Sequence, residues 1–161
     1  MTLVRKHSNN ASVESGATPL IFISHARGQV ERAQKLESSI RNHFGNRVHT
    51  WLDAYHMVGD PLQAMGEYVR KATLVILCVS STYEKSEYCM AEAGMAMELK
   101  KKRLVLIMEA NYDPTKNPKL HSIISGPMRI NCCNDQELEG SQGKIFKEIE
   151  KHICQGSEHL T

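Results

Sequence analysis

The sequence has no apolar run long enough to cross a membrane. A membrane-spanning helix needs about 20 consecutive apolar residues, whereas the longest uninterrupted runs are Leu74–Val79 and Leu104–Met108, which have the length of buried strands. Arg5 and Lys6 near the amino terminus precede no apolar segment, so no signal peptide is recognisable. We therefore expect no membrane contact through this chain and a cytoplasmic location.

Proline and glycine are scarce, at 5 and 10 of 161 residues. Because 41% of the residues are apolar and 24% are charged, collagen-like and wholly disordered classes are excluded, and this length predicts one domain. The sequence also has no large excess of one charge, because 20 Lys and Arg against 18 Asp and Glu give a net charge of +2. That balance gives no reason to predict nucleic-acid binding.

Several chemical motifs are also missing. There is no phosphate-binding G-x-G-x-x-G or G-x-x-x-x-G-K-[ST], no G-x-S-x-G and no H-E-x-x-H. The five cysteines and eight histidines show no metal-ligand spacing, so no metal is expected. An odd number of cysteines, with Cys78 in an apolar run, predicts a reducing compartment.

What the sequence does contain is an alternation of strand and helix patterns over residues 18–156. The first helix shows it best, with apolar residues three and four apart over 30–44 and a Gly45-Asn46 stop. Residues 1–17 are expected to be a disordered lead-in or linker, and 157–161 a disordered tail. The predicted strands are 19–23, 47–52, 73–79, 103–109 and 128–132, and the predicted helices are 30–44, 62–71, 86–100, 120–124 and 141–154.

This alternation predicts the fold class. Parallel strands need crossover connections, and each connection here reads as helical. We therefore predict an α/β flavodoxin-like three-layer sandwich with a five-stranded parallel sheet flanked by helices. Ligands in such sheets bind beyond the carboxyl ends of the strands, which predicts a site among residues 24–28, 53–60 and 80–87.

The helix after the third strand carries a carboxylate, Glu92, beside its predicted apolar stripe. A carboxylate at such a position is costly unless it is paired or functional. One interpretation is a glutamate at the stripe margin that reaches water or a neighbouring arginine. The other is a carboxylate in a cleft beside an aromatic ring, suited to stabilise positive charge in a ligand. The predicted stripe consists of Tyr88, Ala91, Met95 and Leu99.

A basic run, Lys100–Arg103, follows on the same predicted helix. Such a run invites a nucleic-acid or lipid interpretation. Four positive charges at a helix end also complement the negative end of the helix dipole, and we adopt this simpler interpretation.

Three segments resemble successive boxes of a Toll/interleukin-1 receptor (TIR) domain. They are F-I-S-H-A-R at Phe22–Arg27, W-L-D-A-Y-H-M-V-G-D at Trp51–Asp60 and S-S-T-Y-E-K-S-E-Y-C-M-A-E at Ser80–Glu92. The resemblance runs from about residue 20 to 154, is closest in pattern to SARM-type and invertebrate intracellular TIR proteins, and implies the flavodoxin-like fold. His25, Ala26 and the N-Y-D-P at 111–114 depart from the SARM-type pattern.

The resemblance implies an intracellular signalling domain that cleaves NAD. In the enzymatic members, one glutamate on the helix after the third strand is indispensable, and Glu92 matches it. NAD+ would be the substrate, with nicotinamide and an ADP-ribose product, and no cofactor is implied. Receptor TIR domains keep a glutamate in a similar S-E-x-C-x-x-E context, so a non-enzymatic homotypic adaptor remains the alternative. A domain that binds the nucleotide without cleaving it is a third option.

The resemblance also implies residues around Glu92 and a surface for assembly with other TIR domains into a homo-oligomer or filament. Each has a simpler interpretation as well: a solvated arginine for Arg27, a core side chain for Tyr88, a helix or turn cap for Ser80, and a folded-back tip for the loop. The implied substrate-binding residues are Ser24, Arg27, Asp53, Ser80 and Tyr88. The implied self-association residues, in the family's BB loop, are His56, Met57, Val58, Gly59 and Asp60.

Overall fold

The computed structural model describes residues 18–52 and 61–159. The lead-in expected at 1–17, Asp53 and the loop residues His56–Asp60 lie outside them. No helix within the described ranges is long and apolar enough to cross a membrane. The elements are β1 (Leu20–His25), α1 (Val30–Phe44), β2 (His49–Leu52), α2 (Pro61–Lys71), β3 (Leu74–Val79), α3 (Ser81–Lys85), α4 (Glu87–Glu98), β4 (Lys102–Ile107), α5 (Pro118–Ile124), β5 (Met128–Asn131), α6 (Asp135–Gly140) and α7 (Gln142–His159).

The strands form one five-stranded sheet in the order β2-β1-β3-β4-β5, and every neighbouring pair is parallel. All six residues of the central strand β3 are buried, as expected for a strand covered on both faces. The predicted flavodoxin-like fold is confirmed. In this strand order the direction of winding reverses between β1 and β3, which makes their carboxyl ends the expected ligand crevice.

Two apolar layers cover the sheet, because successive strand residues point to opposite faces. Ile23 points to a layer that α1, α6 and α7 complete, where Leu36 packs. Phe22 points to the other layer, which holds Val69 of α2 and Ala93 of α4. Tyr83 of α3 and Leu120 of α5 pack in the same layer, so α3, α4 and α5 lie on the same side of the sheet as α2.

Most predicted elements are present, and the differences have local causes. Helix α1 has the predicted bounds, and Gly45 ends it with a φ of +57°, a left-handed conformation that glycine adopts without strain. Helix α6 was missed, because six residues capped by Asn134 are too short to show a helical period. Helix α7 continues to His159, beyond the predicted end at 154 and into the segment expected to be a tail.

The predicted apolar stripe of α4 was wrong. Leu99 is 40% exposed, and it follows the last residue of the helix. Because α4 packs against α2, α5 and β1 at once, small side chains fit the close approach, and the large residues that suggested the stripe lie to the side. The buried positions of α4 are Cys89, Met90, Glu92, Ala93 and Ala96.

The interpretation of the basic run as a complement to its own helix was also wrong. Helix α4 ends at Glu98 and has no basic residue in its last turn, so the run begins after the helix and enters β4. Lys101 instead caps the end of a different helix, α2. Its Nζ donates to the carbonyl oxygens of Arg70 (2.5 Å) and Ala72 (2.9 Å).

Candidate functional site

The candidate site lies where β1 and β3 end. Ser24 and His25 are the last two residues of β1 and pair with Leu77 and Cys78 of β3. Ser80 follows β3 directly, and the chain then forms α3 and α4. The Sγ of Cys89 on α4 lies 3.5 Å from the carbonyl oxygen of His25, which holds α4 against the end of β1.

Three buried side chains form a hydrogen-bonded chain at this point. Ser24 Oγ lies 2.5 Å from Glu92 Oε1 on α4 and 2.7 Å from the hydroxyl of Tyr83 on α3. The residues are 1%, 2% and 0% exposed, respectively. The strand end and the two helices thus meet at one carboxylate.

The chemistry of these groups fixes the direction of the chain. Ser24 donates its one hydroxyl proton to Glu92 Oε1, so the hydroxyl of Tyr83 donates to Ser24. Burial, followed by the nearby charge of Glu92, raises the pKa of Tyr83 well above its usual value. Tyr83 therefore keeps its proton and remains a donor, and the carboxylate is held in one orientation.

Of the two interpretations of Glu92, the position at the margin of the helix is wrong. Glu92 lies in the middle of the buried face of α4, not at a border with solvent. The predicted stripe was displaced by about one position around the helix, which explains the error. The carboxylate is an interior group with a hydroxyl donor, and that environment keeps it oriented.

The serines after β3 act as helix caps. Ser80 Oγ accepts from the backbone N–H of Tyr83 at 3.1 Å and begins α3, while Ser86 accepts from the N–H of Cys89 at 3.1 Å and begins α4. Ser80 is fully buried, so in this structure it has the capping role that was the simpler of its two interpretations.

The other expected substrate-binding residues are spread around the carboxylate. Arg27 is exposed and begins a short 3-10 turn directly after β1. Tyr88 is half-buried and packs against the apolar layer of α4. Asp53, one residue beyond the end of β2, lies outside the described residues. The structure therefore brings Ser24 together with Glu92, while Arg27 and Tyr88 lie nearer the surface.

Two residues at this edge were missed. Tyr83 lies beside Glu92 in space but belongs to the five-residue helix α3, which has no periodic signal. Glu109 follows β4, and its Oε1 accepts from both the backbone N–H and the hydroxyl of Ser81 at 2.8 Å. These two bonds lower the pKa of Glu109 and fix the start of α3. An acidic residue just after a strand was the available signal for Glu109.

A half-buried arginine, Arg32, fixes the neighbouring half of the edge. Arg32 of α1 donates through Nη1 to the carbonyl oxygens of Met108 and Cys132, each at 2.8 Å. These residues follow β4 and β5, so both strand ends are tied to α1. No group of three or more His, Cys, Asp or Glu side chains suited to a metal ion occurs among the described residues.

The geometry defines a class of protein: a parallel α/β domain with an oriented interior carboxylate at the switch point of its sheet. Residues 21–142 match the family model described as TIR domain, which is more than half of the chain. The chain therefore belongs to the TIR domain family. No curated protein matches the sequence.

A solved structure is similar over most of the chain. It is described as the structure of the activated Roq1 resistosome directly recognizing the pathogen effector XopQ (TIR domains), with a TM-score of 0.54 and 14% identity over 83% of this chain and 98% of that chain. At this identity the likeness shows the fold alone. Neither comparison identifies the expected SARM-type subclass.

The hydrogen-bonded chain predicts a stability cost for Tyr83→Phe. The variant removes the donor to Ser24 from a fully buried place, so unfolding in urea should show a loss of about 1 kcal/mol. Tyr68→Phe is the matched control, because it also removes a tyrosine hydroxyl but from a half-buried ring. That ring keeps its stacking on Trp51, with 3.7 Å between the ring centroids. A change of under about 0.5 kcal/mol is expected there, and equal losses would contradict the role given to Tyr83.

The contact between Glu109 and Ser81 predicts a pH effect. A carboxylate whose pKa is lowered on folding adds stability above its unfolded pKa and loses it as pH falls through the folded value. Glu109→Gln should therefore make the decline in stability below about pH 4.5 shallower. The effect is small because solvent screens an accessible carboxylate. Urea midpoints measured across acidic pH show the change in stability, and Glu98→Gln, at the exposed end of α4, should leave the slope unchanged.

Proposed function

We propose that this TIR domain is a signalling module that cleaves NAD+ at the bond between nicotinamide and ribose, with Glu92 as its catalytic carboxylate. The products are nicotinamide and an ADP-ribose. The observation that carries the proposal is the oriented carboxylate of Glu92 at the ligand-binding edge of the sheet, hydrogen-bonded to Ser24 at 2.5 Å. Glu92 is also the residue at the position of the glutamate that enzymatic TIR domains require.

The reaction needs little beyond a placed negative charge. The bond from ribose C1′ to the pyridinium nitrogen breaks with its electron pair going to that nitrogen, so nicotinamide leaves as a neutral molecule. No general acid is required, unlike in glycoside hydrolysis, which shares the oxocarbenium-like transition state. Glu92 stabilises the positive charge on the ribose. Water then adds to C1′ and releases one proton.

The hydrogen-bonded chain gives Ser24 and Tyr83 supporting roles. Ser24 holds the carboxylate of Glu92, and Tyr83 holds Ser24, so the charge is oriented before a substrate arrives. Glu92 is 2% exposed, and contact with a ribose therefore requires that atoms covering it move. Arg27 is exposed beside the same edge and suits a diphosphate as a partner.

Assembly with other TIR domains and a cytoplasmic location belong to the same proposal. The solved structure with the similar fold is described as the TIR domains of an activated resistosome, which supports assembly as a route to activity. We assign the contact to His56, Met57, Val58, Gly59 and Asp60, as the family resemblance implies. Cys78 and Cys132 are buried thiols outside any disulfide, in keeping with a reducing compartment.

A second candidate function is a non-enzymatic adaptor that only binds other TIR domains. The burial of Glu92 favours it, because a carboxylate shielded from solvent and hydrogen-bonded to Ser24 also serves to position α4 on β1. In that case Glu92 contributes to stability and not to turnover. The two functions differ in what a neutral substitute for Glu92 does.

The test is nicotinamide release from NAD+ by the purified chain at high concentration, followed by chromatography. Glu92→Gln keeps an oxygen that accepts from Ser24 but removes the charge, so the rate should fall by about a hundred- to a thousandfold. Glu98→Gln, on the exposed end of the same helix, should release nicotinamide at the wild-type rate.

Circular dichroism and light scattering establish that both variants fold and self-associate. If the wild-type chain self-associates and releases no nicotinamide, the adaptor function is correct. If Glu92→Gln is folded and releases nicotinamide as fast as the wild-type chain, Glu92 is not the catalytic carboxylate.

The assembly part of the proposal predicts that Val58→Glu weakens self-association roughly tenfold, because a charge replaces an apolar contact residue. Nicotinamide release should fall with it at moderate protein concentration, since clustering raises the local concentration of sites. Gln136→Glu adds the same charge at an exposed position of α6. It should change neither self-association nor nicotinamide release. Light scattering and release assays on the same samples provide both readouts, and unchanged association in Val58→Glu would contradict the assigned contact.

A further inference from the structure

We propose that a second site, a basic cleft at the amino edge of the sheet, binds a compact ligand with several phosphate groups. The cleft has a volume of about 720 Å³. It lies between the end of α4, the start of β4, the turn before β5 and the middle of α7. Its basic residues are Lys100, Lys101, Lys102, Arg103, Lys151 and His152.

The charges in the cleft are unbalanced. Glu148 is the one carboxylate among its lining residues, and it is already in use: its Oε2 lies 3.4 Å from Lys151 Nζ and 3.2 Å from His152 Nε2. Lys101 is occupied by the carbonyl oxygens at the end of α2. Lys100 and Lys102 are exposed, so their charges remain available to an anion.

Two nitrogen atoms in the side chains that line the cleft are available to form hydrogen bonds with a ligand. Arg103 Nε and His152 Nδ1 are shielded from solvent and have no hydrogen-bond partner within the described part of the chain. A shielded polar atom without a partner costs free energy. A phosphate oxygen is the acceptor that a guanidinium N–H matches best. Burial lowers the pKa of His152, so its neutral ring donates through Nε2 to Glu148 and its Nδ1 can accept from a hydroxyl of the ligand. Arg103 Nε is therefore the donor to a phosphate oxygen.

The backbone leaves room for a ligand here. Strand β4 pairs with β3 from Lys102 onward but with β5 only from Leu104 onward. The first two residues of β4 therefore have no strand beside them on the β5 side, where the turn of Ser125, Gly126 and Pro127 lines the cleft. The basic side chains come from two segments, 100–103 and 151–152, that meet at one concave cleft. They do not form a stripe along a helix, which favours a compact polyphosphate over an extended polymer.

The cleft is separate from the Glu92 site. In a parallel sheet the amino and carboxyl ends of the strands lie at opposite edges, and six residues of β4 span roughly 17 Å. The proposal therefore does not depend on NAD cleavage. The polyphosphate is either free in solution or the headgroup of a lipid. Met97 and Met128, which are exposed and line the cleft, would face the acyl chains of a lipid.

The experiment uses the whole chain and two probes. Inositol hexakisphosphate is titrated by calorimetry at physiological salt, and vesicles of phosphatidylcholine with a few per cent phosphatidylinositol bisphosphate are used in cosedimentation. The cleft variant replaces three lysines by glutamine, and so does the control, so that both lose the same charge. The cleft variant is Lys100→Gln, Lys102→Gln and Lys151→Gln, and the control is Lys116→Gln, Lys119→Gln and Lys144→Gln.

The wild-type chain and the control should bind inositol hexakisphosphate within about twofold of each other, and the cleft variant roughly tenfold or more weakly. Binding to the vesicles as well identifies a lipid headgroup, and binding to the soluble probe alone identifies a free polyphosphate. The proposal is overturned if the wild-type chain binds neither probe, or if the control loses as much affinity as the cleft variant. Equal binding of a short single-stranded DNA, weakened alike in both variants, also overturns it.

Discussion

A carboxyl group buried in an apolar layer is the constraint around which the candidate site is organised. Glu92 is removed from water by the packing of α4 on β1, and a polar group in such a place has to be hydrogen-bonded. Ser24 provides a donor, and Tyr83 supports Ser24. Because the three residues come from β1, α3 and α4, the positions of these elements depend on one another at this point.

The parallel sheet places two groups of functional side chains at opposite edges. Oriented carboxylates and caps meet at the carboxyl edge, where Glu92 and Glu109 lie. Unsatisfied cationic groups meet at the amino edge, where Arg103 and Lys102 begin β4. The crossover helices run back between these edges, so the two proposed sites lie on one sheet without competing for space.

The fold was predictable because its signals are local and repeated. The apolar run that became β3 and the three- and four-residue spacing of α1 each need only a few neighbouring residues to be recognised. The stripe on α4 was misplaced because the sequence shows which residues are large, whereas the packing on three neighbours selects small residues such as Ala93 and Ala96.

The candidate site was predictable only in part, for a different physical reason. Glu92 was identified from its place beside the predicted stripe as well as from the resemblance to a family, and Ser24 from that resemblance, but their contact joins residues 68 positions apart. Tyr83 was missed because a helix of five residues has no period to detect. Lys101 was assigned to the wrong helix, since a long side chain reaches carbonyl groups about 30 residues away along the chain.

The side-chain contacts along the carboxyl edge have an entropic consequence. Arg32 holds the ends of β4 and β5, Glu109 holds the start of α3, and Ser24 holds Glu92. The rotamer freedom of these groups is lost when the chain folds, so a molecule that enters this edge does not have to order them again. For the proposed reaction, the free-energy cost of binding therefore lies in uncovering Glu92, whose carboxylate is already oriented by Ser24.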